Sequence, residues 1–126
     1  MAKALVVDDS RAIRRILSTT LEELGYEVRQ AENGRQALEV VEQERAAEPV
    51  GLALVDWNMP ELNGLEFVRR LRADPRNAAM LVVMVTTETA RDQIVAALEA
   101  GANEYVMKPF TKDVIQDKLR LLGVVV

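Results

Sequence analysis

At 126 residues, 49% of them hydrophobic and 29% charged, the chain has the size and make-up of one globular domain with a proper core. Its net charge of −4 argues against a nucleic-acid surface, and the absence of cysteine and histidine excludes disulfides, thiolate or imidazole metal sites, His general bases and His phosphocarriers. No apolar run approaches the roughly 18 residues a membrane span needs, and Met1-Ala2-Lys3-Ala4 leads straight into a strand-like run, so neither a signal peptide nor a membrane contact is expected and a cytoplasmic setting suits the chain.

Taken in order, the apolar runs Ala4–Val7, Val28–Ala31, Leu52–Val55, Leu81–Thr86 and Glu104–Met107 predict five strands, each followed by a helical pattern. The first helix spans about Ser10 to Leu24, with Ile13, Ile16, Leu17, Leu21 and Leu24 on one face and Gly25 as its stop. On this helix Arg11, Arg14 and Arg15 read as a solvated face. The second starts at Asn33-Gly34, runs through Ala37, Leu38 and Val41, and ends before Pro49. The third follows Asn63-Gly64 with Leu65, Val68 and Leu71 and closes at Asp74-Pro75. The fourth begins at Thr89, where Asp92 three residues on suggests a capping box, and stops at Gly101. The fifth starts at Thr111, where Phe110 can staple onto Ile115. Alternating β and α units predict an α/β domain: a parallel sheet with helices on both faces, strands one and three central, spanning residues 1–126 as a single unit.

The polar residues that close these strands carry the chemistry. Strand one ends in Asp8-Asp9 and strand three in Asp56, and right-handed crossovers bring those ends into one crevice. Carboxylates gathered there repel by roughly 4 kcal/mol per pair at about 4 Å and an effective dielectric of about 20. Such a cluster calls for a cation, and ligands that are all oxygen point to a hard one such as Mg²⁺. Thr86 and Lys108 reach the same edge if strands four and five follow in order.

The set Asp8-Asp9, Asp56, Thr86 and Lys108-Pro109 resembles the receiver domain of two-component response regulators, in order and over essentially the whole chain. Val7-Asp8-Asp9-Ser10-Arg11, Asp56-Trp57-Asn58-Met59-Pro60, Thr86-Thr87-Glu88 and Tyr105-Val106-Met107-Lys108-Pro109-Phe110-Thr111 are similar to the single-domain chemotaxis regulators of that family. From that resemblance comes the flavodoxin-like strand order 2-1-3-4-5, of which chemotaxis receivers are themselves a standing illustration. The chain departs from familiar members at Thr87, at the bulkier Leu98 and in the apolar Val124-Val125-Val126 tail. The resemblance implies that Asp56 is the phospho-acceptor, that Asp8, Asp9, Asp56 and the Asn58 backbone carbonyl hold Mg²⁺, and that Lys108 and Thr86 contact the phosphoryl group. It implies a cis Lys108-Pro109 bond, although only about 5–6% of X-Pro bonds are cis. It also implies that Tyr105 follows Thr86 in switching, and that the output is a binding event on helix four, strand five and helix five. The implied partners are a chemotaxis-type histidine kinase, the flagellar motor switch and, where one exists, a phosphatase; the chain itself is expected to be a monomer and not a turnover enzyme.

Bland readings stand beside these. Ile94 and Leu98 share a helical stripe that is either core or partner surface. Tyr105 is either a switch or simple packing, and Trp57 reads as a partly exposed neighbour of the site. A phosphorelay shuttle, passing its phosphoryl group to a histidine phosphotransfer domain, is a second function. A small aspartate-nucleophile phosphatase is a third, but that chemistry wants an acid where Asn58 stands. A flavin carrier lacks a Ser/Thr/Gly-rich loop after strand one.

Overall fold

The computed structural model describes residues 2–57, 59, 62–87 and 91–124. The elements are β1 (Lys3–Val7), α1 (Arg11–Glu23), β2 (Glu27–Ala31), α2 (Gly34–Glu44), β3 (Leu52–Asp56), α3 (Gly64–Ala73), a 3₁₀ turn at Pro75–Asn77, β4 (Leu81–Thr86), α4 (Arg91–Ala100), β5 (Glu104–Met107) and α5 (Lys112–Leu121). All pairings are parallel and the order is β2-β1-β3-β4-β5, as the family resemblance implied. β1 and β3 are buried along their whole length, which is why they carry almost nothing but aliphatic side chains. β2, at one edge, keeps only Ala31 fully buried.

Alternation along the strands divides the core in two. Leu5, Val7, Ala53, Val55, Val82 and Met84 point to one face, against Ala37 and Val41 of α2, Phe67, Val68 and Leu71 of α3 and Ala97 of α4. Ala4, Val6, Leu52, Leu54, Val83, Val85 and Val106 point to the other, against Leu17 and Leu21 of α1 and Ile115 and Leu119 of α5. Phe67, fully buried at the middle of the first face, is the largest of these side chains; truncating it to Ala would cost roughly 3–5 kcal/mol.

Four helices start on a side-chain cap. Ser10, Asn33, Asn63 and Thr111 accept the amides of Ile13, Gln36, Glu66 and Val114 respectively, satisfying donors the helix cannot. Phe110 packs in the cluster that holds Ile115, as the staple required. α1 closes at Gly25 (φ +95°), where the Gly25 and Tyr26 amides bond back to Glu22 and Leu21. The Thr89 cap of the fourth helix lies outside the described residues, and α4 is described from Arg91.

Two sequence readings of α1 need correction. Ile16 was placed on the buried stripe, yet it is 51% exposed, because helical spacing puts it about 100° round from Leu17 and so at the rim of that stripe. Arg14 was placed on the solvated face, yet it is only 8% exposed while Arg11 and Arg15 are in solvent. Its guanidinium has partners on the sheet side, described below. Among the described residues no helix is long and apolar enough to cross a membrane.

Candidate functional site

At the carboxyl ends of β1 and β3, Asp8 and Asp56 are nearly sealed from water, at 1% and 6% exposure, whereas Asp9 is exposed. Each of the three offers a carboxylate oxygen within 4.8 Å of the others. The β5–α5 loop supplies the counter-charge. Lys108 Nζ lies 3.0 Å from Asp8 Oδ2 and 3.2 Å from Asp56 Oδ1, so one ammonium bridges two buried carboxylates. The Lys108-Pro109 peptide is cis, and the Lys108 amide donates to the Thr86 carbonyl at 2.8 Å, tying the loop to the end of β4.

One cation among three carboxylates leaves the cluster net negative, and the titration directions agree. Burial first, then the Asp8 charge, raises the Asp56 carboxyl above its ordinary range, with Lys108 only partly offsetting them. Burial acts to lower Lys108, but its hydrogen bonds and charge contacts with Asp8 and Asp56 outweigh this and hold it above an ordinary lysine. Burial leads the Asp56 shift and the neighbouring carboxylates drive that of Lys108, and both fit a crevice in which negative charge outweighs positive. A divalent cation with a preference for hard oxygen ligands fits that deficit and that donor set.

Asp8 is fixed at every polar atom. Its amide donates to Ala31 O at 3.1 Å, its Oδ1 accepts the Ser10 amide at 2.8 Å, its Oδ2 meets Lys108, and its carbonyl accepts Arg14 Nη1 at 2.7 Å. Asp56 is fixed by the close approach of α3. A Cβ added at Gly64 would lie 2.3 Å from the Asp56 carbonyl oxygen, and the Gly64 amide donates to Trp57 O at 3.0 Å. Neither Arg14 nor Gly64 stood out in the sequence as a site residue. Only Gly64's small size hinted at contact; for Arg14 the signal was helical spacing, three and seven residues before the buried Leu17 and Leu21, where Arg11 and Arg15 do not fall.

The remaining predicted residues fall as follows. Thr86 is buried at 2%, one residue beyond Val85, the register partner of Asp56. Tyr105 is half-buried against the α2–α4 core, with Lys118 Nζ 4.9 Å from its ring centroid. On α4 Ile94 is half-buried and Leu98 is 40% exposed, so Leu98 is not core; Val95, which the stripe omitted, is 41% exposed beside them. Asn58, proposed as a carbonyl ligand, lies outside the described residues, as do Glu88 and the last two valines. An apolar pocket of about 390 Å³, lined by Ile13, Ile16, Thr87, Lys108, Pro109 and Phe110, opens directly beside Lys108.

The family model described as "Response regulator receiver domain" matches residues 4–120. Chemotaxis protein CheY1 of Helicobacter pylori is 45% identical over 121 residues, 95% of either chain. The chemotaxis protein CheY homolog of Campylobacter jejuni is 45% identical over 118 residues, 93% of this chain and 88% of that one. Among solved structures, chemotaxis protein CheY4 of Vibrio cholerae superposes with a TM-score of 0.87 at 36% identity, over 96% of this chain and 98% of that one.

Proposed function

The chain belongs to the response regulator receiver family, signalling domains that take their input from histidine kinases, and on that premise we propose that Asp56 accepts a phosphoryl group from a kinase phosphohistidine. The observation that carries this reading is the Lys108 ammonium held between the buried Asp8 and Asp56 carboxylates. Phosphoryl transfer has a loose, charge-spread transition state, so positioning and electrostatics do most of the work. Asp56 needs no proton removed once ionised; its oxygen attacks in line as the N–P bond breaks and the electron pair returns to the imidazole. Lys108, already at the site, favours the ionised form of that carboxylate and then meets a phosphoryl oxygen. Asp8, Asp9 and Asp56, with the Asn58 carbonyl, would hold Mg²⁺, which when bound supplies the positive charge that the oxygens of the transferring group require. The apolar pocket beside Lys108 offers the donor's ring a place to dock.

In this reading the module is a switch. Phosphorylation adds about two negative charges at Asp56. The Thr86 hydroxyl turns toward them, and Tyr105 follows into the space behind it. The surface so changed runs from Ile94, Val95 and Leu98 of α4 over β5 to α5, where Val114 and Leu121 are 40% and 74% exposed. A partner's amphipathic helix suits such a face. The relatives' names favour chemotaxis; the flagellar motor switch as output partner and a cytoplasmic setting are our own reading from the family resemblance. Trp57, half-buried and next to Asp56, is the only tryptophan and therefore a direct reporter. Millimolar Mg²⁺ is expected to change its emission and Asp9→Ala to abolish the response. A response that survives in Asp9→Ala puts the metal elsewhere.

A further inference from the structure

We propose that Arg14 is a positioning residue for the metal site, acting through the Asp8 backbone; the inference rests on the reading of Asp8 and Asp9 as Mg²⁺ ligands. Asp8 lies one residue past the last ladder pairs of β1, Val7 with Ala31 and Val7 with Val55, so its carbonyl is buried where the strand no longer supplies a partner. Arg14 supplies one, with Nη1 at 2.7 Å from that oxygen. The same guanidinium reaches the neighbouring strand, Nε donating to Gln30 Oε1 at 3.3 Å, and lies 3.9 Å from Glu32. Its rigid fork thus spans from the β1–α1 turn to the end of β2. The turn it braces is the one that aims both Asp8 and Asp9. Mg²⁺ demands near-ideal octahedral geometry, so a loosened turn weakens binding before it weakens the fold.

The test is Mg²⁺ titration of Trp57 emission in the wild type, Arg14→Ala, Arg14→Lys and Gln30→Ala, with urea midpoints measured in parallel without metal. Loss of such a supporting partner typically weakens metal binding roughly 10–100-fold, and Arg14→Ala is expected in that range. Arg14→Lys keeps the charge but cannot span Asp8 and Gln30 together, so it is expected to remain weakened. Gln30→Ala removes an exposed anchor and is expected to weaken binding a few-fold at an unchanged urea midpoint; it decides the matter if Arg14→Ala does not fold. Wild-type Mg²⁺ affinity in Arg14→Ala, or full recovery in Arg14→Lys, overturns the inference while leaving the metal site intact. A wild type that gives no Mg²⁺ response overturns the metal reading and this inference with it.

Discussion

Replacing Gly64 by alanine tests how tightly the fold fixes the proposed nucleophile. The added Cβ would stand 2.3 Å from the Asp56 carbonyl oxygen, 2.9 Å from Met84 Cε and 3.0 Å from Trp57 Cα. The Met84 methyl can swing away, but the other two contacts are backbone. To bring the first contact even to 3.0 Å, α3 and the end of β3 must part by about 0.7 Å. Overpacking of this kind costs roughly 1–3 kcal/mol. Alanine's better helix propensity is worth up to about 1 kcal/mol in a helix interior and less at Gly64, the first residue of α3, so a net loss of about 1–2 kcal/mol is expected. With a urea slope of about 2 kcal/mol/M, the midpoint falls by about 0.5–1 M. A misplacement near 1 Å at reacting groups costs up to about 10²-fold, so acetyl phosphate labelling of Asp56 is expected to slow by roughly tenfold or more. Gly25→Ala is the control, since its φ of +95° makes alanine strained but its Cβ meets nothing within 4 Å. It is expected to lose about 1–2 kcal/mol and to label at the wild-type rate. Gly64→Ala with wild-type stability and labelling would refute the close-approach argument.

Two other outcomes follow from the surface chemistry. Hydrogen bonds from Arg76 draw the Asp74 carboxyl down to about 2, so its contribution to stability is complete above the ordinary carboxylate pKa of about 4 and is lost as pH falls toward 2. A carboxyl NMR titration checks this, and an Asp74 midpoint near 4 would contradict it. On the readout face, Tyr105→Ala and Leu98→Glu are expected to weaken capture of the partner by the phosphorylated form, with Mg²⁺ affinity and Asp56 labelling nearly unchanged. Two folded variants that bind normally would move that surface elsewhere.

Element order and the meeting of Asp8, Asp9 and Asp56 were legible from local pattern and the handedness of crossovers, whereas Lys108 joined them only through the strand order that the family resemblance implied. A short aliphatic run rich in Val and bounded by turn residues reads as an interior strand, and a carboxylate closing it lies at the strand's carboxyl end. What escaped depends on distances between elements. Arg14 stands at helical spacing from Leu17 and Leu21, which marks it for burial, but its partners, the Asp8 carbonyl and Gln30, are placed by two strands and could not be read locally. Ile16 lies at the rim of the helical stripe, and periodicity alone does not say how wide a stripe the sheet covers. Gly64 reads as a helix start, while its second constraint comes from the Asp56 backbone eight residues earlier, folded back against it. Val95 was passed over because it lies beside the 94–98 stripe, and α4 buries little beyond Ala97.

The most direct test of the account is covalent. Incubated with acetyl phosphate and Mg²⁺, the protein is expected to gain a single phosphoryl group that peptide mapping locates on Asp56, and Asp56→Asn, which keeps the shape but not the nucleophile, is expected to gain none. Labelling of Asp56→Asn at the wild-type rate, or a wild-type phosphoryl group mapped to another residue, would contradict the account.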